Sequence, residues 1–264
     1  MLIVGERINT SRKAIEPAVR ERNTEFIQKV AKEQVAAGAT FIDVNAGTLV
    51  DDEPEALKWL VQTVQSAIDV PLCIDSPNPI AIGAALKVHK GKAIINSITG
   101  EKERFQSIAP LVKEYGASVV ALCMDDRGMP ENIEERFNIA ENIVEQLAQM
   151  GIPQRDIYID PLVRPISTGS DNGLVAIETI RRVMQGFDGV HTICGLSNVS
   201  FGLPERKLLN QAFLIMCMTA GLDAVILDPL DNHLMALVAA SRALLNKDEF
   251  CMDYIAAYKA GRLE

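Results

Sequence analysis

Acids and amides recur in this sequence where a short apolar run gives way to a loop. The run Thr40–Asn45 contains Asp43 and ends at Asn45. Pro71–Asp75 ends at Asp75, Lys92–Asn96 at Asn96 and Ile157–Asp160 at Asp160, while His191–Leu196 contains Gly195 and is followed by Ser197 and Asn198. Three further runs lead into Glu6, Arg7 and Asn9, into Asp125 and Asp126, and into Asp228. A carboxylate can accept two parallel N–H bonds from an amidine-like ring edge, and a carboxamide can donate to and accept from a neighbouring edge. If these side chains share one rim, they suit a flat, nitrogen-rich, neutral heterocycle. A pterin, with a 2-amino group beside a ring N–H and a carbonyl, has that pattern. A purine has it too, so residue chemistry alone leaves both open. Any one of these residues also reads as a helix N-cap or a turn former, and Asp75-Ser76 and Asn96-Ser97 both fit cap positions.

What the run ends lack narrows the chemistry. None carries lysine or histidine; Lys92 and His191 stand at the starts of their runs. A Schiff-base enzyme needs a lysine at the site, and a zinc or iron hydrolase usually needs histidine ligands. The five cysteines, Cys73, Cys123, Cys194, Cys217 and Cys251, are scattered, and four lie in apolar runs. Their spacing suits reduced, mostly buried thiols, and no metal site is expected. The segment Asp231-Asn232-His233 resembles the start of a cobalamin-binding motif, but the glycine required three residues later is Ala236, so an N-cap before the last helix is expected. Asp51-Asp52 and Asp125-Asp126 read as solvated loop charges.

These residues need elements to bring them together. Eight short apolar runs can be read as strands: the five above and Leu2–Gly5, Ser118–Met124 and Asp223–Leu227. Amphipathic stretches between them, such as Glu53–Ile68, Glu101–Tyr115 and Asn132–Met150, predict helices. Eight strand–helix units in 264 residues give about 33 residues each, the size of one βα repeat. The expected fold is therefore α/β, a single (β/α)8 TIM barrel over residues 1–264, whose chemistry belongs at the C-terminal ends of the strands. The formal net charge of −9 disfavours nucleic acid and anionic membrane surfaces as partners. No apolar run reaches the length of a spanning helix, the most apolar stretch, Ala212 to Leu227, being broken by Gly221 and Asp223, and no secretory signal is evident, so a cytoplasmic location is expected.

The motifs Gly5-Glu6-Arg7-Ile8-Asn9, Asp43-Val44-Asn45, Cys73-Ile74-Asp75-Ser76, Ile95-Asn96-Ser97, Tyr158-Ile159-Asp160-Pro161 and Gly195-Leu196-Ser197-Asn198-Val199-Ser200 resemble, in order, those of the methyltetrahydrofolate:corrinoid methyltransferases. These are relatives of the folate-binding domain of cobalamin-dependent methionine synthase. The resemblance spans nearly the whole chain; the motifs are specific together and weak singly. It implies a pterin-binding barrel, usually a homodimer, that moves the N5-methyl group between methyltetrahydrofolate and the Co(I) of a corrinoid (cobalamin) held by a partner protein, as in acetyl-CoA or O-demethylase systems. It implies that Asp75, Asn96 and Asp160 hold the pterin edge. Asn198 would sit near N5 as the catalytic residue, Asp43 would support it, and Gly195 and Ser197 would line the pocket. Arg206 is a weaker carry-over at the mouth. Two alternatives stand beside this: an enzyme like dihydropteroate synthase, although the Ser-x-Arg stretch expected near the end is missing, and a non-catalytic pterin-binding module that docks a corrinoid protein.

Overall fold

The computed structural model describes residues 1–263. Eight parallel strands alternate with helices: β1 (Leu2–Asn9), α1 (Ile15–Arg20), α2 (Thr24–Ala36), β2 (Phe41–Asn45), α3 (Glu53–Gln65), β3 (Leu72–Asp75), α4 (Pro79–Leu86), β4 (Ile94–Thr99), α5 (Lys102–Tyr115), β5 (Ser118–Leu122), α6 (Ile133–Gln149), β6 (Ile157–Asp160), α7 (Asn172–Gly186), β7 (His191–Thr192), α8 (Arg206–Ala220), β8 (Ala224–Leu227), α9 (Asn232–Leu244) and α10 (Met252–Lys259). The strands pair in the order β7-β6-β5-β4-β3-β2-β1-β8. Only two residues of β7 join the ladder to β6, fewer than the apolar run from His191 suggests. The chain then changes partner: Ile193 N–H still donates to Ile159, but Cys194 C=O accepts from Ile226 N–H at 2.9 Å and Gly195 bridges to Ile226. That switch nearly closes the sheet into a (β/α)8 barrel.

The period of two along a strand decides which side chains point inward. Val4, Cys73, Ile94, Val120, Ile193 and Ala224 pack together in the barrel interior with Phe41 and Tyr158 against them. Two residues further along β2, β3, β4 and β6 stand Asp43, Asp75, Asn96 and Asp160. The polar rim is therefore the next inward layer above an apolar plug. Larger apolar clusters fill the space between the strands and the helices.

Local chemistry sets the element ends. Asn23, Asn78, Asn132 and Asp231 accept backbone N–H bonds as N-caps of α2, α4, α6 and α9. The cap before α4 is thus Asn78 and the residue before α5 is Glu101, so Asp75 and Asn96 are released from capping. Asp231 does cap a helix, but α10 follows it, so that helix is the penultimate one. Asp52 pairs with Arg22 at 2.8 Å and Asp125 with Arg127 at 2.8 Å, so both have partners on the surface. Strand β1 runs four residues beyond Gly5, past an irregularity between Gly5 and Ile8. The buried Gln34 of α2 fills that gap, accepting from Arg7 N–H at 3.0 Å. A Cβ on Gly5 would fall 2.5 Å from Gln34 Oε1, so a side chain there would displace the amide that accepts from Arg7 N–H.

Candidate active site

A cavity of about 660 Å³ opens at the C-terminal ends of the strands. Asp43, Asp75, Asn96, Asp160, Gly195, Ser197 and Asn198, the residues singled out from the sequence, all line it. Asn45, Asp75 and Asn96 lie level on neighbouring strands, and Asn45 Nδ2 donates to Asp75 Oδ2 at 2.8 Å. Strand β4 carries an irregularity just past Asn96, and the Asn96–Ser97 peptide is cis.

The carboxylates are tuned by enclosure. Burial pushes Asp160 up to about 7, against the Leu162 N–H bond at 2.7 Å and the positive charge of Arg136. Burial likewise raises Asp75 to about 6, opposed by the Asn45 hydrogen bond and the Arg104 charge. Asp43 is 3% exposed, and its Oδ1 has no partner among the described residues. Burial first, and then the Asp75 charge, hold it well above the usual carboxylate range, while the Cys73 thiol hydrogen-bonds to it from the layer below. Glu6 is also raised by burial, with Arg12 at 2.7 Å opposing.

Three arginines hold the loops that carry these groups. Arg104 of α5 donates to the carbonyls of Ser76, Pro77 and Ser97, joining the turn after β3 to the irregular stretch of β4. Arg136 of α6, fully buried, donates to the carbonyls of Pro130, Pro161 and Leu162, joining the turns after β5 and β6. Arg206 of α8 donates to Ser197 C=O at 2.7 Å and to Ser200 Oγ at 3.0 Å, fixing the short helical turn that presents Asn198. Gly195 sits under Asn198: a Cβ there would lie 3.1 Å from Asn198 Nδ2.

The strand ends carry no lysine, but the cavity also takes cations from beyond them. Lys207 and Asn210, from the first turns of α8, line the cavity with Arg206, and Arg12 faces them from the loop after β1. A reading confined to strand ends missed them; the polar trio 206, 207 and 210 at one helix start was the available signal. Asn45 was read from the sequence as a run end without a role of its own, and Arg104 was missed because it acts on other site residues. Lys92 and His191 do lie away from the mouth, bonded to Asp156 and Asp223. Cys73, Cys123, Cys194 and Cys217 are buried and Cys251 is exposed. Among the described residues, no group of three or more His, Cys, Asp or Glu side chains is placed to hold a metal ion, and no helix is long and apolar enough to cross a membrane.

Residues 5–228 match the family described as pterin binding enzymes, and the chain belongs to that family. Over its full length it is 35% identical to the methylcorrinoid:tetrahydrofolate methyltransferase of Eubacterium limosum, covering 98% of that protein. It is 32% identical to the methionine synthase of Mycobacterium tuberculosis over 86% of this chain, which spans only 20% of that much longer protein. The chain thus sits in the folate–corrinoid methyltransferase branch of the family. Among solved structures, dihydropteroate synthase of Xanthomonas albilineans superposes with a TM-score of 0.71 at 16% identity, covering 93% of this chain and 92% of that one. The Thermus thermophilus enzyme gives 0.68 at 19%, covering 90% and 92%. At that identity the likeness is one of fold, and it supports the barrel.

Proposed function

We propose that this chain, one pterin-binding barrel over residues 1–264, transfers the N5-methyl group between methyltetrahydrofolate and the Co(I) centre of a corrinoid carried by a separate protein. The observation that carries the proposal is the gathering of Asp75, Asn96, Asp160 and Asn198 around one cavity in a chain 35% identical to a methylcorrinoid:tetrahydrofolate methyltransferase. The carboxylates of Asp75 and Asp160 take the amino and ring N–H donors of the pterin, and Asn96 takes the adjoining edge. Gly195 and Ser197 complete the wall.

A tertiary amine leaves poorly, because expelling it without a proton produces an unstable amide anion. N5 must therefore gain a proton or a strong hydrogen bond as the N–CH3 bond breaks and the electron pair of Co(I) forms the new bond to carbon. Asn198 supplies that help. Its carbonyl oxygen accepts from protonated N5, stabilising the transition state more than the ground state. The proton reaches N5 through water, and Asp43, with its unpartnered oxygen and raised affinity for a proton, supports that route. The barrel supplies position and the partner supplies the nucleophile, so aligned approach provides much of the acceleration.

The surface fits a partner. Val50, Ile80, Met129 and Phe201, on loops or helix starts that follow strands, are exposed apolar side chains at the mouth. A cytoplasmic homodimer belongs to the same proposal; Leu174, Ile215 and Met216 on the outer sides of α7 and α8 offer apolar surface for a second copy. Turnover separates the enzyme from a non-catalytic carrier. A small fraction of protein, mixed anaerobically with methyltetrahydrofolate and reduced free cobalamin, is expected to yield methylcobalamin in large excess over itself. Formation limited to one equivalent or none overturns the enzymatic reading.

A further inference from the structure

We propose that Asn210 of α8 is a positioning residue for methyl transfer: through Ser200 it fixes the turn that aims Asn198. The inference rests on the reading above in which Asn198 acts at N5. Asn198 is exposed on the short helical turn Leu196–Ser200. Its N–H donates to Gly195 C=O at 3.3 Å and its C=O accepts from Phe201 N–H at 3.2 Å, while its side chain makes no hydrogen bond among the described residues. The turn alone therefore decides where the amide points.

Two kinds of contact hold the turn against α8. Leu196 and Val199 pack with Phe213, Leu214 and Cys217, but apolar packing has no direction and leaves the turn free to rock. Hydrogen bonds supply the direction. Arg206 and Asn210 stand four residues apart, so α8 presents both on one face. Arg206 Nη2 donates to Ser197 C=O at 2.7 Å and its Nε to Ser200 Oγ at 3.0 Å. The buried Ser200 hydroxyl then has one proton to give. Ser197 C=O lies 3.3 Å away and is already taken by Arg206, whereas Asn210 Oδ1 lies 2.7 Å away and accepts it. The chain is thereby gripped on both sides of Asn198: at Ser197 by Arg206, and at Ser200 by Arg206 and Asn210 together. Without Asn210 the hydroxyl must turn to Ser197 C=O, and the turn closes on itself instead of on α8. Asn210 also lines the cavity, so direct donation from its Nδ2 to the folate is the rival role, and the two roles respond differently to substitution.

Single-turnover methyl transfer to reduced cobalamin, with folate affinity by calorimetry, tests this. Asn210→Ala should slow transfer about tenfold, the scale of a small misplacement of a catalytic group, with affinity for methyltetrahydrofolate within about twofold of wild type. Asn210→Asp keeps an oxygen for Ser200 and should recover the rate to within about threefold. Ser200→Ala removes the link with almost no change in volume, should reproduce the loss, and carries the test if circular dichroism shows Asn210→Ala unfolded. In an Asn198→Ala background Asn210→Ala should cost nothing further, because it acts through the missing amide. Normal transfer in Ser200→Ala and Asn210→Ala, or an undiminished tenfold loss in the Asn198→Ala background, overturns the positioning role while leaving Asn198 in place. Failure of Asn210→Asp to recover the rate, with weakened folate binding in Asn210→Ala, overturns it in favour of direct contact. If Asn198→Ala itself transfers methyl at a near-normal rate, the role of Asn198 fails and that of Asn210 with it.

Discussion

Asn198 and Asp160 carry the account at the scale of single residues. Asn198→Ala should slow methyl transfer by about 10²-fold, the scale of one preorganised transition-state hydrogen bond, with little change in folate affinity. Stopped-flow transfer to cobalamin checks this, and near-normal rates would remove Asn198 from its role. Asp160, near 7, and Asp75, near 6, are raised by burial. Their contribution to stability is therefore fully present below about pH 4 and is lost as the pH rises through 6 to 7. Pterin N–H donors favour the ionised forms, so binding below about pH 7 must expel a proton. Folate affinity should climb between about pH 5.5 and 7.5, by up to tenfold per unit, and proton release should accompany binding. Asp160→Asn should flatten that profile when followed by calorimetry; a wild-type profile already flat would contradict the assignment. Asp75, Asn96 and Asp160 were legible because each ends an apolar run on an inward register. Arg104, Lys207 and Asn210 were not, because the first acts on its neighbours and the other two come from a helix that pattern reading assigns to the outer ring.

Elements decide whether those side chains are aimed. The turn after β7 presents Asn198 only because Gly195 leaves room beneath its amide and Arg206 holds the carbonyl beside it. Gly195→Ala should keep the barrel, since its backbone conformation is open to any residue, yet displace Asn198 by a few tenths of an ångström. The expected result is a kcat about tenfold lower or worse with a Tm close to wild type; an unchanged kcat would show that this contact does not aim the amide. Strand and helix order could be read from alternating apolar runs, and β6 was placed to the residue. The ends of β1 and β7 could not. Strand β1 continues past Gly5 because Gln34, distant in sequence, takes the bond of Arg7 N–H. The chain leaves the β7 ladder early because Ile226 of β8 supplies its next partner. Periodicity describes one segment and is silent about which other segment pairs with it. The glycines after α5 and α8 adopt left-handed conformations as end signals should, with φ of 58° and 117°.

On the scale of the molecule, the barrel presents an acidic, polar cavity ringed by apolar loop tips. The other end of the strands holds structural pairs such as His191 with Asp223 at 2.6 Å. This polarity assigns chemistry to one end and stability to the other. If the mouth docks a corrinoid protein through Val50 and Ile80, then Val50→Asp with Ile80→Asp should lower kcat/KM for the protein-bound corrinoid by about tenfold, as for loss of apolar contacts at an interface. Turnover with free cobalamin should stay within a factor of about two, because neither side chain lines the cavity. Equal losses with both acceptors would argue for a folding defect instead. The claim beneath all of this is spatial, so a crystal structure of the complex with methyltetrahydrofolate tests it most directly. The account predicts the pterin lying across the barrel mouth, its amino and N–H edge against Asp75 and Asp160 and its N5 toward Asn198. A pterin bound elsewhere, or turned so that N5 faces away from Asn198, would contradict it.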